Sequence, residues 1–68
     1  MAIKVIKPKR ACEILAENGM KIPEPTLDMG LQQGVFPFGT AILMSREYCY
    51  FIYEHLLMKW IAERSEPT

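Results

Sequence analysis

Apolar residues in the first third of the chain recur at the i, i+3, i+4 spacing of one buried helix face, and they are Ala11, Ile14 and Leu15. Pro8 suits the first turn of a helix, where its missing N–H costs nothing. Asn18-Gly19 suits the end, because glycine tolerates the left-handed conformation there. We therefore predict a first helix over about residues 8–18, preceded by a short edge strand where the chain alternates from Ile3 to Val5.

A second helix is predicted after a proline-rich turn. Pro23 forbids a helix before Glu24, and Pro25 can set the first helical turn, so the helix is expected to run to about Gln33. The residues expected to face inward are Leu27, Leu31 and either Met29 or Gly30. Glycine inside a helix costs about 1 kcal/mol relative to alanine. We expect a close approach to the first helix to explain Gly30.

Beyond Gly34 the pattern changes from helical to alternating. Two strands rich in β-branched and aromatic residues are predicted over residues 40–44 and 48–53, joined by the polar residues 45–47. Both strands are apolar on both faces, so we expect one face to pack on the first two helices. A last helix over about residues 54–64 is expected to cover the other face, and residues 65–68 are expected to fray. Because the hairpin residues alternate, its aromatics (Tyr48, Tyr50, Phe51 and Tyr53) are expected in the core or under a helix, with base stacking as the alternative.

The predicted order is strand, helix, turn, helix, hairpin, helix. It indicates an α+β fold and a single winged helix-turn-helix domain over residues 1–68, because 68 residues leave no room for a second domain. A helix that stops at Gly34 and passes at once into a hairpin is typical of such domains. They offer one helix and one hairpin tip to a DNA duplex.

Net charge changes this picture. Eight basic residues balance eight acidic ones, so the formal net charge is zero. Because phosphate neutralisation supplies most non-specific DNA affinity, a DNA site here requires a local basic cluster. The N-terminal residues lack the apolar stretch of a signal peptide, and no apolar run approaches the roughly 18 residues of a membrane span. We expect a soluble, cytoplasmic protein.

Enzymatic and metal chemistry find no support in the motifs. His55 is the one histidine, and no glycine-rich phosphate loop is present. Cys12 and Cys49 fit no metal or redox spacing and lie in apolar runs. They are expected to be buried free thiols, with a disulfide or a metal role as the alternative. We expect no enzyme activity, no metal and no cofactor.

The central segment resembles a known family. The residues that carry the likeness are Gly30-Leu31-Gln32, Gly34, Phe36-Pro37-Phe38-Gly39, Ala41, Met44-Ser45, Tyr48 and Tyr50-Phe51-Ile52. About a third of the chain thereby resembles the excisionase-like and MerR-like small winged-helix proteins of bacterial phages and integrative elements. The resemblance implies that the second helix enters the major groove and that the hairpin tip contacts the flanking backbone or minor groove. It also implies a role in transcriptional control or site-specific recombination, with double-stranded DNA as partner and a recombinase, another protein or a second copy as further partners.

Candidate base and backbone contacts lie on the second helix and the hairpin. Gln32 and Gln33 can read adenine through their amides, and Thr26 can meet a phosphate or a thymine methyl group. Arg46 at the hairpin tip can enter a narrow minor groove or bind a phosphate. The alternatives are two solvated glutamines, a helix cap, and a surface arginine paired with Glu47.

A positive patch is predicted from four residues near the first helix, which are Lys7, Lys9, Arg10 and Lys21. An ordinary solvated face is the alternative for each. Glu24 and Asp28 are expected on the face that would read DNA, where they would repel phosphates.

A protein-interaction module that has lost DNA binding is therefore the rival hypothesis. Leu56 and Trp60 in the apolar last helix are either core or a partner surface. A structural or assembly protein of a phage is a third possibility.

Overall fold

The computed structural model describes residues 2–66 and contains, within them, three helices and one three-stranded antiparallel sheet. The elements in chain order are β1 (Val5–Ile6), α1 (Pro8–Glu17), α2 (Glu24–Gln33), β2 (Gly39–Met44), β3 (Glu47–Tyr53) and α3 (Glu54–Arg64). The predicted α+β class is confirmed. Of the predicted tail, Ser65 and Glu66 follow α3 without regular secondary structure, and residues 67–68 lie outside the described part.

Both helices before the hairpin end in the same way. Gly19 and Gly34 each follow a helix with a positive φ, 95° and 74° respectively. The next residue in each case donates its N–H to a carbonyl five residues back, from Met20 to Leu15 and from Val35 to Gly30. Each glycine also donates its own N–H to a carbonyl three residues back, from Gly19 to Ala16 and from Gly34 to Leu31. The two bonds at each helix end satisfy carbonyls that would otherwise lack partners, and the chain turns sharply. The glycines thus set the two corners that were expected from sequence.

The sheet has the strand order β1-β3-β2, so the hairpin is extended by the N-terminal strand. β1 pairs through Val5 with Tyr53 and through Ile6 with Ile52, and β2 pairs with β3 from Gly39 opposite Ile52 to Met44 opposite Glu47. The N-terminal strand was predicted at Ile3 to Val5. It lies at Val5–Ile6 instead because Ile6, which is buried, is the residue that faces the core.

The core lies between one face of the sheet and the three helices. Its buried side chains are Ile6, Ala11, Ile14, Leu15, Leu27, Leu31, Phe38, Ile52, Leu57 and Ile61. Each helix, β1 and β3 contribute buried side chains to the core. β2 contributes only Ala41, which is partly buried. Burial of such side chains is the main favourable term in folding, at about 25 cal/mol per Å² of apolar surface.

An aromatic cluster joins α2, the corner after it and α3. The Phe36 ring stacks on Phe38, with centroids 5.2 Å apart, and both rings meet the edge of Trp60. Phe36 also lies directly over Gly30, where a Cβ atom would overlap its ring. The prediction that Gly30 allows close approach of α1 is therefore wrong. The glycine makes room for Phe36.

The outer face of the sheet is uncovered, contrary to the prediction that α3 covers it. α3 packs instead on the core side, where Leu57 and Ile61 are buried with α1. Side chains alternate along a strand, so the face opposite Ile6 and Ile52 carries Val5, Ile42, Met44, Phe51 and Tyr53. Val5, Ile42 and Phe51 are 36 to 49% exposed, and Met44 is 55% exposed.

Candidate nucleic-acid interface

The solvent side of α2 carries the predicted readout residues. Leu27, Gly30 and Leu31 are buried, which fixes the helix rotation. The exposed residues of α2 are Glu24, Pro25, Thr26, Met29, Gln32 and Gln33. The three polar residues predicted on this helix therefore all lie on its accessible side.

Met29 lies with them, and its side chain is 57% exposed. The sequence pattern left open whether Met29 or Gly30 faces inward, and the structure buries Gly30. Gly30 takes the inward position because Phe36 packs on it. The i, i+3 spacing of Leu27 to Gly30 was the signal that distinguishes the two positions.

The hairpin turn presents Arg46 to solvent. Met44 pairs with Glu47, so Ser45 and Arg46 form a two-residue turn. Ser45 has a φ of 60° and is the one non-glycine residue of the described chain with a positive φ. Among the described residues no carboxylate lies within ion-pair distance of Arg46, so the alternative of a pair with Glu47 finds no contact here.

Two tyrosines connect α2 to the hairpin tip. The Gln32 Nε2 donates a hydrogen bond to the Tyr50 hydroxyl at 2.7 Å. Tyr50 in turn stacks on Tyr48, with ring centroids 6.2 Å apart. Both tyrosines lie on the same face of β3 as buried Ile52. Tyr50 is two residues and Tyr48 four residues nearer the hairpin tip.

The Gln32–Tyr50 hydrogen bond and the Tyr50–Tyr48 stack connect the exposed side of α2 to the hairpin. We use the name α2–hairpin surface for Thr26, Met29, Gln32, Gln33, Arg46, Tyr48 and Tyr50. The tyrosines were expected to be covered by core or helix. Tyr48 is instead 41% exposed and Tyr50 only half-buried, because no helix extends over the distal half of the hairpin.

The predicted basic patch is only partly available. Arg10 lies 3.4 Å from Glu13 and 3.6 Å from Glu17, so its charge is neutralised along α1. Lys7, Lys9 and Lys21 are exposed, and within the described residues none of them is ion-paired. Three lysines near α1 and Arg46 thus remain as free cations.

The two acidic residues of α2 differ in environment. Glu24 is exposed in the first helical turn, where a carboxylate interacts favourably with the helix dipole. Asp28 is half-buried, and its Oδ1 has no hydrogen-bond partner and no solvent contact. Burial first, and then the charge of Glu24, raise the pKa of Asp28 above its ordinary value of 3.8. Asp28 is therefore withdrawn from the exposed stripe on which it was expected.

Cys12 on α1 shares this environment. Burial first, and then Glu24 and Asp28, raise the pKa of its thiol. A thiol with a raised pKa is a weak nucleophile at neutral pH. Cys12 and Cys49 are both free and half-buried, and residues 2–66 contain no cluster of three or more potential metal ligands.

Leu56 and Trp60, which were predicted as core or partner surface, differ in burial. Trp60 is half-buried against Phe36 and Phe38, with the Arg64 guanidinium 4.4 Å from its ring centroid. Leu56 is 41% exposed. It borders an open depression of about 640 Å³, whose lining residues are Ala2, Ile3, Lys4, Tyr53, His55 and Leu56.

None of the helices in the described part of the chain has the length and apolar character needed to cross a membrane. Comparisons of the chain with known protein families, with curated proteins and with solved structures find no match.

Proposed function

We propose that this chain is a small winged helix-turn-helix protein that binds double-stranded DNA. The observation that carries the proposal is the α2–hairpin surface, in which the Gln32–Tyr50 hydrogen bond joins the exposed side of α2 to the hairpin. Packing of α1 on α2, followed by a hairpin whose second strand pairs with β1, supports the winged arrangement. Helix-turn-helix proteins place their second helix in the major groove.

The dimensions suit one groove and its border. α2 has ten residues and is therefore about 15 Å long, and the major groove, about 12 Å wide, admits one helix. Arg46 lies in the turn four positions before Tyr50, which corresponds to about 13 Å of extended chain. With α2 in the major groove, the hairpin tip reaches the flanking backbone or minor groove, and Arg46 is the contact there.

The exposed residues of α2 supply a plausible set of base contacts. Glutamine amides complement adenine, and an apolar side chain such as Met29 can pack on a thymine methyl group. Thr26 near the helix start is suited to a phosphate. We therefore propose a site rich in A·T base pairs under the second half of α2.

Low charge limits the affinity of a single copy. Few free cations lie near the proposed surface, so the salt dependence should be shallow for a DNA-binding protein. A protein this small also makes few base contacts, so useful specificity requires tandem sites, a second copy or a partner protein. This requirement, and the resemblance of residues 30–52, support an excisionase-like role in recombination or a role in transcriptional control.

The test is DNA binding measured by fluorescence anisotropy across a salt series. The duplex is selected from a library with about 20 randomised base pairs, two helical turns. Arg46→Ala should lower the magnitude of the slope of log K against log salt by about 0.9, the contribution of one phosphate contact. Lys59→Ala removes an exposed cation from α3, away from the proposed surface, and should leave the slope unchanged. Equal slopes for wild type and Arg46→Ala would remove Arg46 from the site.

A second candidate function is protein interaction through the outer face of the sheet. It is favoured by one observation, the uncovered apolar side chains Val5, Ile42, Met44 and Phe51 beside exposed Leu56. Contiguous apolar patches are typical of interaction sites. Two results together would favour this function. The wild-type protein would select no duplex from the library, and it would self-associate in a way that Ile42→Lys abolishes.

A further inference from the structure

The hydrogen bond between Gln32 and Tyr50 has a consequence for base recognition. Gln32 is an exposed side chain with three rotatable bonds, yet its amide is held at 2.7 Å from the Tyr50 hydroxyl. Its neighbour Gln33 is exposed and has no side-chain hydrogen bond to another described residue. Of the two glutamines, only Gln32 is oriented before any ligand arrives.

Tyr50 is well placed to orient it. Its ring stacks on Tyr48 and packs against the core, and its backbone is paired with Ala41 in the centre of the hairpin. The hydroxyl is therefore fixed by the strand rather than by the glutamine. Orienting a flexible side chain in advance removes part of the entropy cost of binding.

The chemistry of the amide leaves it free to read a base. An amide nitrogen carries two hydrogens and the carbonyl oxygen has two lone pairs. With one hydrogen donated to Tyr50, the second N–H and the Oε1 remain. These complement the N7 acceptor and the N6 amino donor of adenine, whereas guanine places the O6 acceptor against Oε1.

We propose that Tyr50 is a positioning residue that holds the Gln32 amide to select adenine at one position of the major-groove site. The inference rests on the proposed DNA-binding function and adds a specificity determinant to it. Tyr53 has no part in this selection, because it lies on the outer face of the sheet and its hydroxyl is not bonded to Gln32.

The experiment compares wild type, Tyr50→Phe, Gln32→Ala, the double variant and Tyr53→Phe as the matched control on the same strand. Phenylalanine keeps the ring that stacks and removes only the hydroxyl. Each protein is titrated by anisotropy into the selected duplex and into duplexes substituted at each position in turn. Wild type should prefer adenine at one position by about tenfold, within the range expected for one bidentate contact.

Gln32→Ala should abolish that preference, and Tyr50→Phe should reduce it several-fold at the same position. Tyr53→Phe should keep it, and the double variant should lose no more than Gln32→Ala alone. Binding to an unrelated duplex and the thermal midpoint should be similar in wild type and Tyr50→Phe, which separates positioning from a general structural effect.

The possible failures are distinguishable. If Tyr50→Phe keeps the full preference that Gln32→Ala abolishes, the positioning role is overturned and DNA binding stands. If wild type discriminates among duplexes but Gln32→Ala changes no preference, the inference is again overturned while the proposed function stands. If wild type binds no duplex, both are overturned together.

Discussion

At the scale of single residues, Asp28 stands in an unfavourable environment. Its Oδ1 is inaccessible and unbonded, and Glu24 lies one helical turn before it. A carboxyl group that loses solvent without gaining a hydrogen bond favours its neutral form. Asp28 therefore opposes folding when it is ionised.

The pH dependence follows from the raised pKa of Asp28. The folded state binds this proton more tightly than the unfolded state, so stability falls as pH rises through the interval above the ordinary value of 3.8. Asp28→Asn should be more stable than wild type at about pH 7 and similar to it at about pH 3, where the carboxyl is protonated in both states.

Urea denaturation across this pH range measures the difference. Glu63→Gln, which removes an exposed carboxylate from α3, is the control. Its free energy of unfolding should be close to that of wild type at each pH. Asp28→Asn that is less stable than wild type at neutral pH would contradict this description of the site.

At the scale of elements, the junction between α2 and the hairpin depends on Gly30. The Phe36 ring occupies the space where a side chain would begin, and Phe36 carries the contact on to Phe38 and Trp60. Phe36 therefore supports the hairpin beside α2, together with the Gln32–Tyr50 hydrogen bond and the approach of Leu31 to Gly39.

Gly30→Ala should destabilise the fold even though alanine favours helix. Displacing Phe36 from a packed cluster should cost about 1–3 kcal/mol, more than the roughly 1 kcal/mol gained in helix propensity. Chemical denaturation measures the loss. Met29→Ala, one residue earlier and exposed, is the control and should change stability by less than about 0.5 kcal/mol. Equal stability of wild type and Gly30→Ala would mean that Phe36 is not held there.

The hairpin turn stores strain at Ser45. A residue with a Cβ atom at φ 60° costs about 1–2 kcal/mol relative to the right-handed region, and glycine avoids that cost. Ser45→Gly should therefore raise the free energy of unfolding by about 0.5–1 kcal/mol after the entropy cost of glycine is subtracted. Arg46→Gly, at the turn position without a positive φ, should lower it. Urea denaturation measures both changes. If the two variants change the free energy of unfolding in the same direction, this turn geometry is contradicted.

Most of the elements could be predicted from sequence, because helix ends are marked by local chemistry. Pro8, Gly19, Pro23 and Gly34 each act within one or two residues of their own position, and α1 and α2 begin and end where such signals indicate. The face that an element buries depends on distant partners. The spacing of Leu27 and Gly30 indicates the inward face, but it could not show that Gly30 makes room for Phe36 and not for α1. Likewise the exposure of Tyr48 depends on where α3 packs.

At the scale of the whole molecule, the two sides of the sheet differ in character. One side carries the helices and, toward the hairpin tip, the polar and aromatic α2–hairpin surface. The other side carries uncovered apolar residues. This asymmetry suits a protein that binds DNA on one side and leaves the other free for a second copy or a partner protein, which the small size of the domain would require for specificity.

Backbone amide mapping by ¹H–¹⁵N NMR, during titration with a selected duplex, tests the central claim most directly. A chain of 7.8 kDa suits this measurement. We expect the largest shift changes in α2, at Ser45 and Arg46, and at Tyr48 and Tyr50, with little change on the outer face of the sheet. Changes confined to Val5, Ile42, Phe51 and Leu56, or no change at any accessible DNA concentration, would contradict the account.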